Sequence, residues 1–67
     1  MGGYARRLLD FRAKHDLTQV QLAKILGVNV NMVHRYENGL HEPTQMRKIK
    51  QENRMKQWED LKNADDV

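Results

Sequence analysis

Leu17-Thr18-Gln19-Val20-Gln21-Leu22-Ala23-Lys24-Ile25-Leu26-Gly27-Val28-Asn29-Val30-Asn31-Met32-Val33-His34-Arg35-Tyr36-Glu37-Asn38-Gly39 reads as two short helices around a tight turn. Thr18 suits an N-cap, and Gln21 three residues on can return the bond to the Thr18 backbone. Leu22, Ala23 and Leu26 recur at helical spacing. Gly27 then stands where a left-handed residue ends a helix without a Cβ clash. Val28 is apolar inside the turn, which pins the turn to a core, and Asn29 caps the next helix. Ala23 is small enough for two helices to cross steeply over so short a connection. The first helix is expected over about Thr18 to Leu26, the second over about Val30 to Asn38, with Gly39 as its stop.

The second helix has two unlike sides. At about 100° per residue from Val30, Met32, Val33 and Tyr36 fall between about 200° and 300°. Asn31, His34, Arg35 and Asn38 fall between about 40° and 140°. The apolar side can anchor the helix. The polar side carries groups that bond base edges, arginine suiting guanine and asparagine adenine, while Val30 at the rim suits a thymine methyl. A solvated helix face is the plainer reading of these polar residues, and the paired helix with its caps is what favours base readout.

Before this pair, Tyr4 to about His15 reads as a helix with Ala5, Leu8 and Phe11 inward. Asp16 ends it, since aspartate visits the left-handed region at modest cost. After it, Leu40-His41-Glu42-Pro43 reads as a loop, and Thr44 caps a last helix running to about Asn63. Its apolar residues fall on two faces. With Met46 at zero, Ile49 lies at about −60°, whereas Met55, Trp58 and Leu61 lie at about 180°, 120° and 60°. Met46 and Ile49 are expected to close the core. Met55, Trp58 and Leu61 are expected to point elsewhere, as a surface for self-association or a protein partner, with the helix either broken near Gln51 to Asn53 or meeting another surface. The expected fold class is therefore all-α, a compact bundle of three to four short helices plus a longer C-terminal one, with a candidate DNA-binding core over residues 1–44 and a C-terminal helix over residues 45–67.

The run Leu-Thr-Gln, Leu-Ala, Leu-Gly-Val, Tyr-Glu-Asn-Gly and then Pro43 resembles the lambda-repressor/Cro type of helix-turn-helix domain over about Leu8 to Thr44. The resemblance implies a regulator of the phage or mobile-element kind, a structural salt bridge between Arg12 and Glu37, and base readers at Val30, Asn31, His34 and Arg35. It implies a phosphate contact at Gln19. Further phosphate contacts are expected at Thr18, Asn29, Met32 and Asn38, and from Arg47 and Lys50 in a basic stripe that continues to Arg54. Beyond Thr44 the chain departs from the family, having few apolar positions where the family carries a Leu/Ile-rich helix.

Composition fits and excludes. Sixty-seven residues make one small domain, close to the smallest that folds unaided. The net charge of +3 permits a nucleic-acid partner without requiring one. Residues 47–56 hold five basic residues and one acid, and residues 57–67 one base and four acids. No apolar run approaches the ~18 residues of a membrane span, and no signal peptide is legible, so a cytoplasmic protein is expected. The chain has neither Ser nor Cys, hence no Ser- or Cys-based triad and no thiolate metal site. His15, His34 and His41 have no metal-ligand spacing, and His41-Glu42 is no zinc-protease motif, because Pro43 interrupts the helix and Gln45 stands at the second histidine. No enzyme, metal or cofactor is expected. The expected partner is double-stranded DNA, bound by a homodimer on a pseudo-palindromic site. The alternatives are an antitoxin-type module or a protein-binding scaffold, each using the last helix.

Overall fold

The computed structural model describes residues 3–64 as four helices: α1 Gly3–His15, α2 Gln19–Leu26, α3 Val30–Glu37 and α4 Gln45–Ala64. The four helices and the absence of strands among the described residues make the fold all-α. Local chemistry sets each boundary. Asp16 takes φ 54° and turns the chain out of α1. The Thr18 side chain accepts from the Gln21 N–H, and the Gln21 side chain accepts from the Thr18 N–H. Gly27, at φ 74°, donates its N–H to the Ala23 carbonyl. Its missing Cβ matters because a side chain would strain this left-handed backbone; the nearest neighbour, at 3.1 Å, is only the end of the exposed Arg54 side chain. Asn29 accepts from the Met32 N–H and starts α3 three residues past α2.

The core gathers Leu8 and Phe11 from α1, Leu22, Ala23 and Leu26 from α2, Val33 and Tyr36 from α3, and Met55 from α4. α4 is one unbroken helix of 20 residues, and its orientation reverses the sequence expectation. Met46 and Ile49 do not close the core; they are 69% and 54% exposed. Met55 is 0% exposed, and Trp58 packs edge-on to Phe11 at 5.8 Å and to His15 at 4.9 Å. Of the expected self-association trio Leu61 stays outward, Met55 is fully buried in the protomer's own core, and Trp58 is partly buried against it.

The physical reason is that α4 docks largely through polar groups. Gln51 is buried, accepts from the Tyr4 hydroxyl and donates to the Tyr36 hydroxyl at 3.4 Å. Burial, reinforced by the nearby Glu52 carboxylate, pushes the Tyr4 hydroxyl well above the ordinary phenol range. Arg7 clasps Glu52 with two bonds of 2.9 and 3.1 Å. Glu59 accepts from Lys14 at 3.1 Å and meets His15 Nε2 at 2.7 Å.

Hydrogen bonds from His15, then from Lys14, hold the Glu59 carboxyl below the ordinary carboxylate range. A depressed folded-state pKa stabilises the fold above the unfolded value of 4.5, and that contribution is lost as pH falls through the folded value. Acid titration should therefore loosen the far half of α4 only below pH 4.5, seen as a red shift of Trp58 emission. Glu59→Gln should shrink the step. A step of equal size in that variant would remove Glu59 from the clasp.

Candidate nucleic-acid interface

The candidate interface centres on α3, whose inner side is fixed and whose outer side is bare. Val33, Tyr36 and Glu37 are buried, and Met32 packs against the core. Asn31, His34, Arg35 and Asn38 are all exposed, and Val30 is at the rim, 37% exposed. The four candidate base readers thus share one helix and one open side. Arg35 has no acidic partner among the described residues, which leaves its guanidinium fork unspent.

Glu37 ties this helix to the rest of the domain. Its carboxylate accepts from Arg12 Nε at 2.7 Å and Arg12 Nη2 at 2.9 Å, a two-pronged ion pair. Arg12 also donates to the Leu17 carbonyl at 3.2 Å, which fastens α1 to the turn before α2. The third donor to Glu37 is Gln19 Nε2, at 2.9 Å. Gln19 opens α2, so one buried carboxylate brings the start of α2 to the end of α3. One amide hydrogen of Gln19 is used there and the other is available.

The remaining candidate phosphate donors differ in what they can still give. The Thr18 hydroxyl accepts from the backbone and keeps its own hydrogen to donate. Asn29 uses only its carbonyl oxygen for the cap, which leaves its amide hydrogens. Met32 differs: its side chain is packed inward and its N–H is already bonded to Asn29. Asn38 has also spent its donors. Its backbone N–H and its side-chain amide both bond the His34 carbonyl, the latter at 2.7 Å.

Arg47 and Lys50 lie away from Gln19. With Arg54, Gln51, Leu26, Gly27 and Val28 they line an open cleft of about 330 Å³ beside the turn that precedes α3. Neither is ion-paired among the described residues. Cationic or amide donors thus flank α3 at both ends, Gln19 at its C-terminal end and Arg47 with Lys50 beside its N-terminal turn. Among the described residues no group of three His, Asp or Glu side chains is arranged to hold a metal, and no helix is long and apolar enough to cross a membrane.

Two capped helices, a buried carboxylate joining them and a bare polar row on the second define a helix-turn-helix domain. The chain belongs to the helix-turn-helix family, whose model matches residues 8–54, and that family is one of DNA-binding regulators. A curated relative, the antitoxin PezA of Streptococcus pneumoniae serotype 4 (strain ATCC BAA-334 / TIGR4), is 44% identical over 34 residues. That match covers 51% of this chain and 22% of the relative, so the similarity concerns about a fifth of that protein's length. No solved structure matches the chain.

Proposed function

We propose that this protein binds double-stranded DNA in a sequence-specific manner and regulates transcription in the cytoplasm, with α3 in the major groove. The observation that carries the reading is the bare row Asn31, His34 and Arg35 on a helix locked from behind by Val33, Tyr36 and Glu37. In this reading Asn31, His34 and Arg35 meet base edges, with Val30 against a methyl group. Gln19, Thr18 and Asn29 grip phosphates around the start of the two helices, and Arg47 and Lys50 grip the backbone beside them.

One module of this size buries little surface, so two copies on a pseudo-palindrome are part of the proposal, with half-sites roughly 34 Å apart. A two-fold interface needs the same patch on both copies. The outward row Met46, Ile49 and Leu61 of α4 supplies exposed apolar side chains for it. A second reading, an antitoxin-type module that captures a protein through that row, is compatible with the similarity to an antitoxin. The two readings share the DNA-binding half.

Selection of bound duplexes from a random pool, at fixed salt, tests the proposal. A two-fold symmetric motif is the expected outcome, and recovery of unselected sequence would overturn it. On the selected site Arg35→Ala should cost about 1 to 3 kcal/mol and relax the choice at one base pair. Gln19→Ala should weaken specific and random duplexes alike. Equal losses from both variants on both duplexes would overturn the assignment of reader and gripper.

A further inference from the structure

Asn38 closes α3 in a way that restricts what its neighbour His34 can present. Asn38 Nδ2 lies 2.7 Å from the His34 carbonyl oxygen and 3.3 Å from His34 Nδ1. A carbonyl oxygen carries no hydrogen, so the Asn38 atom beside it must be a donor, and this fixes which end of the amide is nitrogen. An amide nitrogen has two hydrogens and nothing to accept with. Its second hydrogen therefore goes to Nδ1, and Nδ1 must accept. A neutral imidazole that accepts at Nδ1 carries its proton at Nε2.

We propose that Asn38 is the positioning residue that makes His34 a hydrogen-bond donor toward DNA, so that His34 selects a base with an acceptor at the major-groove edge, guanine foremost, and rejects cytosine. This rests on α3 being the base-reading helix. Guanine offers two acceptors there, adenine and thymine one each, and cytosine only a donor. A histidine without this restraint can exchange tautomers and accept from an amino group as well as donate. The restraint thus turns an ambiguous reader into a one-sign reader. It also explains the use of asparagine at the end of α3, since both its amide hydrogens are consumed inside the helix end and neither is left for a phosphate.

The test has one arm without DNA and one with it. In the 15N-labelled protein at pH 8, two-bond proton–nitrogen correlations should show His34 as the Nε2–H tautomer alone. Asn38→Asp puts a carboxylate acceptor against Nδ1 and should convert His34 toward the Nδ1–H form. On DNA, changing the base opposite His34 from guanine to cytosine should cost the native protein roughly tenfold in affinity. That ratio should collapse toward one in Asn38→Asp and in Asn38→Ala. In a His34→Ala background the Asn38 substitutions should leave base preference unchanged. An identical tautomer in the native protein and Asn38→Asp, or a guanine preference that survives both substitutions, would overturn the proposal. A tautomer that responds to Asn38 in a protein with no sequence-dependent binding would instead overturn the DNA reading on which it rests.

Discussion

Arg12→Ala should lower the stability of the domain by roughly 3 to 5 kcal/mol. Glu37 is 6% exposed, and two of the three bonds to its carboxylate come from Arg12. Removing the guanidinium leaves a buried negative charge with Gln19 as its remaining donor. The stranded charge, more than the lost attraction, sets the size of the effect. Small domains are stable by only about 5 to 15 kcal/mol, so the variant should be largely unfolded in modest urea. Replacing both partners, as in Arg12→Met with Glu37→Met, removes the charge as well as its partner and should recover much of the loss. Urea titration of the four-member cycle should give a coupling above about 0.5 kcal/mol, and additive effects would mean that the pair does not act as one unit. The folded fraction of Arg12→Ala should also bind random DNA more weakly, because Gln19 is positioned by the same carboxylate.

The contrast between α2 with α3 and α4 shows which parts of this fold are written in local chemistry. Thr18, Gln21, Gly27 and Asn29 act on backbone groups within four residues of themselves, so residue type and spacing suffice to find them. Asp16 at φ 54° belongs to the same class. The bare side of α3 was legible because its opposite side is apolar. Apolar periodicity turns α4 the wrong way round, because it weighs only apolar residues. Its docked face runs through Gln51, Met55 and Trp58, at spacings of four and three, and its first part is polar. Gln51 is buried only because two tyrosines from distant helices meet it, and Glu52 is clasped by Arg7 of α1. A helix wheel contains neither partner. The Gln51-Met55-Trp58 spacing was present in the sequence, and the two buried tyrosines were the missing half of that signal. The Asn38–His34 contact was out of reach for another reason, since it depends on side-chain torsions at a helix end.

That reversal of α4 leads to the second large effect. Met55→Ala should destabilise the domain by about 2 to 5 kcal/mol, because a fully buried side chain is replaced by a cavity. Met46→Ala and Ile49→Ala should each stay within about 0.5 kcal/mol in the isolated protomer, since both side chains already face solvent. Trp58 gives an independent readout. Its ring is held between Phe11, His15 and the Lys62 ammonium of its own chain, so its emission should not change on dilution. Met55→Ala frees the middle of α4 and should move that emission to the red. An intermolecular seam at Met55 and Trp58 would behave in the opposite way, with emission that follows protein concentration. The outward row should show the complementary pattern: Ile49→Asp weakens assembly on a two-fold DNA site while leaving protomer stability and Trp58 emission intact. If Met46→Ala or Ile49→Ala proves costlier to the protomer than Met55→Ala, α4 is turned by half a revolution, and the Tyr4–Gln51–Tyr36 network that fixes its orientation does not form.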